Sequence, residues 1–164
     1  MTIISGDTGI DKITDGSVVQ ADLASGVAGT GPAFHAYNAG TQSISAATNT
    51  KVVFNAELFD TNSCFDTSTY RFTPNVAGYY QINVGVYYQG TNNAFITLRK
   101  NGTELVRFAQ LANVSYALLS GSSIAYMNGT TDYLEIYAYD GGGQTLGASS
   151  SILMFFNGFL ARAA

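Results

Sequence analysis

From Pro32 onward, apolar and polar residues alternate with a period of two, interrupted by short turn sequences, as in strands with one buried face. In GYYQINVGVYYQ, Tyr80, Ile82, Val84, Val86 and Tyr88 share one side, while Tyr79, Gln81, Asn83, Gly85, Tyr87 and Gln89 share the other. The first set is the predicted core row. In DYLEIYAYD the apolar side is Leu134, Ile136 and Ala138, leaving Tyr133, Glu135, Tyr137 and Tyr139 to point away from it. The pattern predicts strands near 33–37, 51–59, 69–73, 79–89, 94–100, 103–111, 116–127, 132–139 and 151–160. Asn101-Gly102 and Asn128-Gly129 stand between strand-like runs, and each predicts a hairpin.

Residues 1–31 follow a different pattern, being small, acidic, rich in glycine and without an aromatic residue. A boundary is placed inside GVAGTGP, making 1–31 an N-terminal arm and linker and 32–164 a head. Within the arm, Ser17 and Gln20 have the spacing of a capping box, which predicts a helix of about two turns over 18–25, stopped by Gly26. So short a helix needs outside support. Val18, Val19, Leu23 and Val27 are its apolar docking set.

Composition sharpens this picture. Only 11% of the 164 residues are charged, while 46% are hydrophobic and 13% aromatic. An ordinary soluble domain carries roughly 25% charge, so part of the outer surface is expected to be covered by other copies of the chain. Tyrosines that share a face with Glu135 suit such a covered surface better than a dry core, which makes Tyr79, Tyr87, Tyr133, Tyr137 and Tyr139 the candidate self-interface. Of the net charge of −4, the arm holds −3 and the head −1. There is no basic patch for nucleic acid and no run of 18 apolar residues for a membrane, and MTIISGDTGI lacks the features of an export signal.

The chemistry-bearing residues are sparse. Cys64 and His35 are the sole cysteine and histidine, no disulfide within the chain is available, and no pattern joins the two as nucleophile and base. Asp60-Thr61-Asn62-Ser63-Cys64-Phe65-Asp66 begins like a calcium loop but has Cys and Phe where ligand and Gly are needed; an Asx-rich turn is the better reading. Asp140-Gly141-Gly142-Gly143-Gln144 leads to a strand instead of a helix, so it is a loop and not a phosphate cradle. Asn101-Gly102-Thr103, Asn113-Val114-Ser115 and Asn128-Gly129-Thr130 are read as turn residues. Asp132 and Glu135, three apart on one strand, would face opposite ways and do not make a glycosidase pair.

FNAELFDTNSCFDTSTYRFTPNVAGYYQINV, LRKNG, LLSGSSIAYMNGTTDYLEIYA and FFNGFL together resemble the globular head of complement component one-q, of the tumour necrosis factor-like superfamily. The likeness spans 32–164, and its signature is Phe72, Gly78 and Tyr80 with Phe156, Gly158 and Phe159. The Gly-Asp usual in the family before the penultimate strand is only partly kept, as Thr130-Thr131-Asp132. The resemblance implies an all-β, ten-stranded jelly-roll sandwich, a homotrimer with the termini at its base, and a binding or adhesion head that is not an enzyme. It leaves calcium open, with no residue assigned and no other cofactor expected.

With the termini at the base, strand direction puts the loops near 89–93, 111–116 and 140–149 at the far tip. Gln89, Asn92, Asn93, Asn113, Asp140 and Gln144 are the candidate receptor contacts there. The segment DKITDGSVVQADLASGVAG resembles stem segments of bacteriophage fibres and other virion proteins, and no collagen-like Gly-X-Y stalk is present. The expected role is a structural and adhesive virion component, such as a trimeric fibre, spike or decoration protein. It would be assembled in the bacterial cytoplasm, docked to other virion proteins through 1–31 and directed at a cell-surface glycan or protein. A purely architectural decoration protein and a free-standing bacterial lectin are the alternatives.

Overall fold

The computed structural model describes residues 31–90, 92–113, 116–147 and 152–164. All of the arm except Gly31, with its predicted helix and the set Val18, Val19, Leu23 and Val27, lies outside the described residues. Thirteen strand segments follow: β1 (Ala33–Tyr37), β2 (Gln42–Ile44), β3 (Thr50–Lys51), β4 (Ala56–Asp60), β5 (Phe65–Asp66), β6 (Arg71–Phe72), β7 (Gly78–Tyr88), β8 (Ala94–Lys100), β9 (Thr103–Leu111), β10 (Ala117–Met127), β11 (Leu134–Asp140), β12 (Gln144–Leu146) and β13 (Phe155–Ala163). There is no helix among the described residues.

The strands form two antiparallel sheets packed as a sandwich. The first places β10, β7, β13, β1 and β4 side by side, with β12 and β2 extending it beyond the far end of β7. The second is β5-β6-β11-β8-β9, with β3 also against β11. The predicted jelly-roll sandwich is what the chain forms, in more pieces than ten strands because several edges are broken. The predicted strand 51–59 is one such case: the chain leaves the second sheet after β3 and joins the first at β4. Between them, Val52 and Phe54 are buried while the amides of Asn38 and Gln42 bond the backbone of Val53, at 2.9 Å each. Those side chains satisfy backbone groups that no ladder could reach.

The core is aromatic. Phe34 lies flat against Phe72, with centroids 4.2 Å apart, and meets Phe156 edge-on at 5.0 Å, while Tyr80 approaches Phe72 edge-on at 5.3 Å. Side chains of this size contribute about 1.5–3 kcal/mol each on burial. The Tyr80 hydroxyl donates to the Val76 carbonyl at 2.7 Å. The Tyr88 hydroxyl donates across the sandwich to the Phe95 carbonyl at 2.9 Å, tying β7 to β8. Gly158 is required because β13 crosses β7 closely: a Cβ there would lie 2.6 Å from the Gln81 carbonyl oxygen.

Asn101 and Gly102 both have positive φ and close the two-residue hairpin between β8 and β9. Asn128-Gly129 does not form the hairpin its sequence predicts, since β10 pairs with β7 and β11 with β8. The Asn128 Oδ1 instead accepts from the amides of Thr130, Thr131 and Asp132, each at 3.0 Å, and turns the chain from one sheet to the other. The Asp132 carboxylate joins the two Asn-Gly turns, accepting from Asn101 Nδ2 at 2.7 Å and from the Asn128 amide at 3.0 Å. With Lys100 2.7 Å away, its acidity is held below the usual carboxylate range.

Candidate functional site

Sequence alternation sorts residues into inside and outside, but a sandwich has two outsides. The five candidate interface tyrosines divide between them: Tyr79 and Tyr87 lie on β7 in the first sheet, whereas Tyr137 and Tyr139 lie on β11 in the second, with Tyr133 just before it. They do not form one patch, so the expected single tyrosine interface is corrected.

On the second sheet the aromatic rings are covered by the chain's own arginines. The Arg71, Arg99 and Arg107 guanidinium carbons stand 4.0, 4.0 and 3.9 Å from the ring centroids of Tyr133, Tyr137 and Phe95. Tyr139 stacks parallel on Phe95 with centroids 4.5 Å apart. Such cation–π stacks cover ring faces while leaving charge at the surface. Beneath them Glu135 is buried, paired with Lys51 and with Arg71 at 2.7 Å. Burial pushes the Glu135 carboxyl up, and the hydrogen bonds from Lys51 and Arg71 outweigh it, so the acidity ends below the usual range. Thr97 Oγ1 and Arg99 Nε are buried there with no hydrogen-bond partner among the described residues.

The outer face of the first sheet has no such cover. Leu118, Ile124 and Tyr126 of β10, Tyr79 of β7 and Phe159 of β13 are between 44% and 60% exposed. Tyr126 and Tyr79 are register partners whose rings meet with centroids 5.4 Å apart, and Ile124, Gln81 and Phe159 form the next row. The middle row is polar: Ser122, Asn83, Asn157, His35 and Phe59 stand side by side across β10, β7, β13, β1 and β4. Asn83 Nδ2 donates to Asn157 Oδ1 at 3.0 Å, and Asn157 Nδ2 faces His35 Nδ1 at 3.4 Å. Leu118, Ile124 and Tyr126 were absent from the sequence-derived site set. Their signal is that Leu119, Ala125 and Met127, the alternate positions, are also apolar, so this strand is apolar on both faces.

The signature residues divide by role. Phe72, Tyr80 and Phe156 are buried core, Gly158 permits the strand crossing, and a Cβ at Gly78 would collide with the Arg162 carbonyl beside the β13 bulge. Phe159 alone points outward.

At the tip, the structure brings loops 89–93 and 140–144 together, and the Gly141 amide donates to the Asn93 carbonyl at 2.9 Å. Asp140 is fully buried, not a receptor contact; its carboxylate accepts from Asn92 Nδ2 at 3.3 Å, from the Gly142 amide at 2.9 Å and from Gln144 Nε2. Gln144 lies in β12, paired with Ile44, so it staples the tip from inside. Gln89 is likewise turned inward, donating to the Gly147 carbonyl. Asn93 and Asn113 remain exposed.

Cys64 is buried and its thiol pushed up by that burial, while His35 lies on the outward row, so the two form no nucleophile–base pair. Asp60 caps its own turn through the amides of Asn62 and Phe65, at 3.3 and 2.7 Å. Asp66 takes the hydroxyls of Ser68 and Thr69 at 2.6 and 2.8 Å, with the Ser68 bond the main reason its pKa falls to about 2. A cation in that loop would have to displace these donors. Among the described residues no group of three or more His, Cys, Asp or Glu is placed to hold a metal, and no helix is long and apolar enough to cross a membrane.

Compared with protein families, residues 33–161 match the model of the C1q domain. No curated protein matches the chain. Among solved structures it is similar to the globular domain of zebrafish complement 1qA protein, with 22% identity, a TM-score of 0.63, and coverage of 81% of this chain and 99% of that one. It is also similar to murine APRIL, at 10% identity, TM-score 0.60, and 79% and 98% coverage. A third similar structure is the vertex protein P5 of PRD1, at 17% identity, TM-score 0.54, and 81% and 97% coverage.

Proposed function

The chain belongs to the C1q domain family, and from that premise we propose that it is a self-associating, non-enzymatic structural and adhesive component of a bacteriophage particle. The observation that carries self-association is the uncovered apolar face of the first sheet, from Leu118 to Tyr126 on β10 and across to Phe159. Contiguous apolar area of this kind marks an interaction surface, and a homotrimer is the assembly the sequence resemblance implies. The second sheet, capped by arginines, is then the outward flank. Support for the particle setting comes from the composition of residues 1–31 and from the likeness of fold to the PRD1 vertex protein. In this reading the arm docks the assembly to other virion proteins inside the bacterial cell, and three weak tip sites engage repeated surface glycans or proteins together.

The inward turn of Gln89, Asp140 and Gln144 leaves the tip fewer free polar groups, and this favours the architectural reading as the second choice. Light scattering of the full chain should give three times the monomer mass; a stable monomer would sink the proposal. Removal of residues 1–25 should leave that mass unchanged per shortened chain and abolish incorporation into particles. Glycan-array binding that vanishes when residues 140–147 are replaced supports adhesion, and no binding at all supports architecture.

A further inference from the structure

The polar row across the first sheet has a defined hydrogen-bond direction. Asn83 Nδ2 bonds Asn157 Oδ1 at 3.0 Å, which turns the Asn157 amide N–H toward His35 Nδ1 at 3.4 Å. An N–H aimed at Nδ1 needs a lone pair there, so the row holds His35 neutral with its proton on Nε2. The imidazole lies between the rings of Phe59 and Phe155, with centroids 6.1 and 6.0 Å away, and this burial lowers its pKa. From β13 only Asn157 and Phe155 face it, and from β4 only Phe59; Asp60 and Glu57 are register partners of Phe34 and Ala36 instead. No charged group shares the row.

We propose that this amide row sets the register of a second copy against the first-sheet face, and that protonation of His35 releases that copy. The proposal rests on the self-association reading. With a proton on both nitrogens, His35 presents N–H to the Asn157 N–H. Asn157 then has to turn its Oδ1 toward His35, which sets its Nδ2 against Asn83 Nδ2, so Asn83 must turn as well. The Asn83 Oδ1 also accepts from Gln81 Nε2 at 3.4 Å, and that contact is lost with the turn. One proton thereby reverses the row and leaves a charge that water solvates and a covered apolar face does not.

The sign follows from linkage. The uncovered face binds the proton more readily than the covered one, so assembly is at full strength above a pH of about 6.5 and weakens below it, by up to tenfold per pH unit per copy. Sedimentation of the full chain between pH 8 and pH 5 should show this loss. His35→Gln, which keeps a side-chain carbonyl for the Asn157 amide, should stay assembled throughout. His35→Lys should be dissociated at pH 8 with an unchanged near-ultraviolet circular dichroism spectrum. Nitrogen-15 shifts should show Nε2 protonated at pH 8. An assembled wild-type chain whose mass does not change with pH, or an equal loss in His35→Gln, overturns the switch; a chain already monomeric at pH 8 overturns the self-association reading instead.

Discussion

The two outer faces of the sandwich both carry exposed or half-exposed aromatic rings and dispose of them in opposite ways. On the second sheet each ring finds a partner within the chain, through Arg71 on Tyr133, Arg99 on Tyr137, Arg107 on Phe95 and Phe95 on Tyr139. On the first sheet Ile124, Leu118 and Phe159 have no polar cover, and the polar atoms present are drawn into one row at the centre. Aromatic content alone therefore does not identify an interface. What distinguishes the faces is whether the neighbouring positions in register are long cations, which cap rings, or small and amide side chains, which leave them bare.

The contrast can be broken most sharply by placing a carboxylate on each face. Ile124→Glu should weaken assembly by about 3 kcal/mol per copy, roughly a hundredfold, whereas Tyr133→Glu should leave the oligomer mass unchanged in light scattering. Next in size is the internal support of the second sheet. Glu135→Gln should lower unfolding stability by about 2–3 kcal/mol in urea titrations, because it removes the shared partner of two cations that are themselves partly solvated. The depressed acidity of Glu135 also fixes a pH sign: its contribution is fully present above the usual carboxylate range and disappears as pH falls through its lowered folded-state value. Amide exchange in β11 should accelerate there in the wild-type chain and not in Glu135→Gln. Thr97→Val should raise stability by about 1 kcal/mol, since it removes a buried hydroxyl without a partner while keeping the branched shape. The smallest effect belongs to Arg107→Ala, at about 0.5 kcal/mol by the same titration, because its pair with Glu104 is exposed and only the stack on Phe95 is lost.

Much of the sandwich was legible in the sequence because a period of two records inside and outside directly. Tyr80, Ile82, Val84, Val86 and Tyr88 are all buried as the alternation requires, and Asn101-Gly102 makes its predicted hairpin. Strand partners were not legible, since they depend on long-range pairing that a local pattern does not encode. That is why Asn128-Gly129 was mistaken for a second hairpin and the tyrosines of two sheets for one surface. Asp140 is a different kind of miss. It shares parity with Leu134, Ile136 and Ala138, so the pattern already pointed it inward, and its charge argued the other way until the donors from Asn92, Gly142 and Gln144 were seen.

The position of β13 bears on synthesis. It is the last of the thirteen strands to leave the ribosome, yet it lies between β7 and β1. Until it arrives, those two strands have no common partner, and Asn157, the central member of the amide row, is missing. The face that a second copy would cover is thus completed by the final strand, which delays association until each head is whole and keeps half-made chains of the same message from joining prematurely.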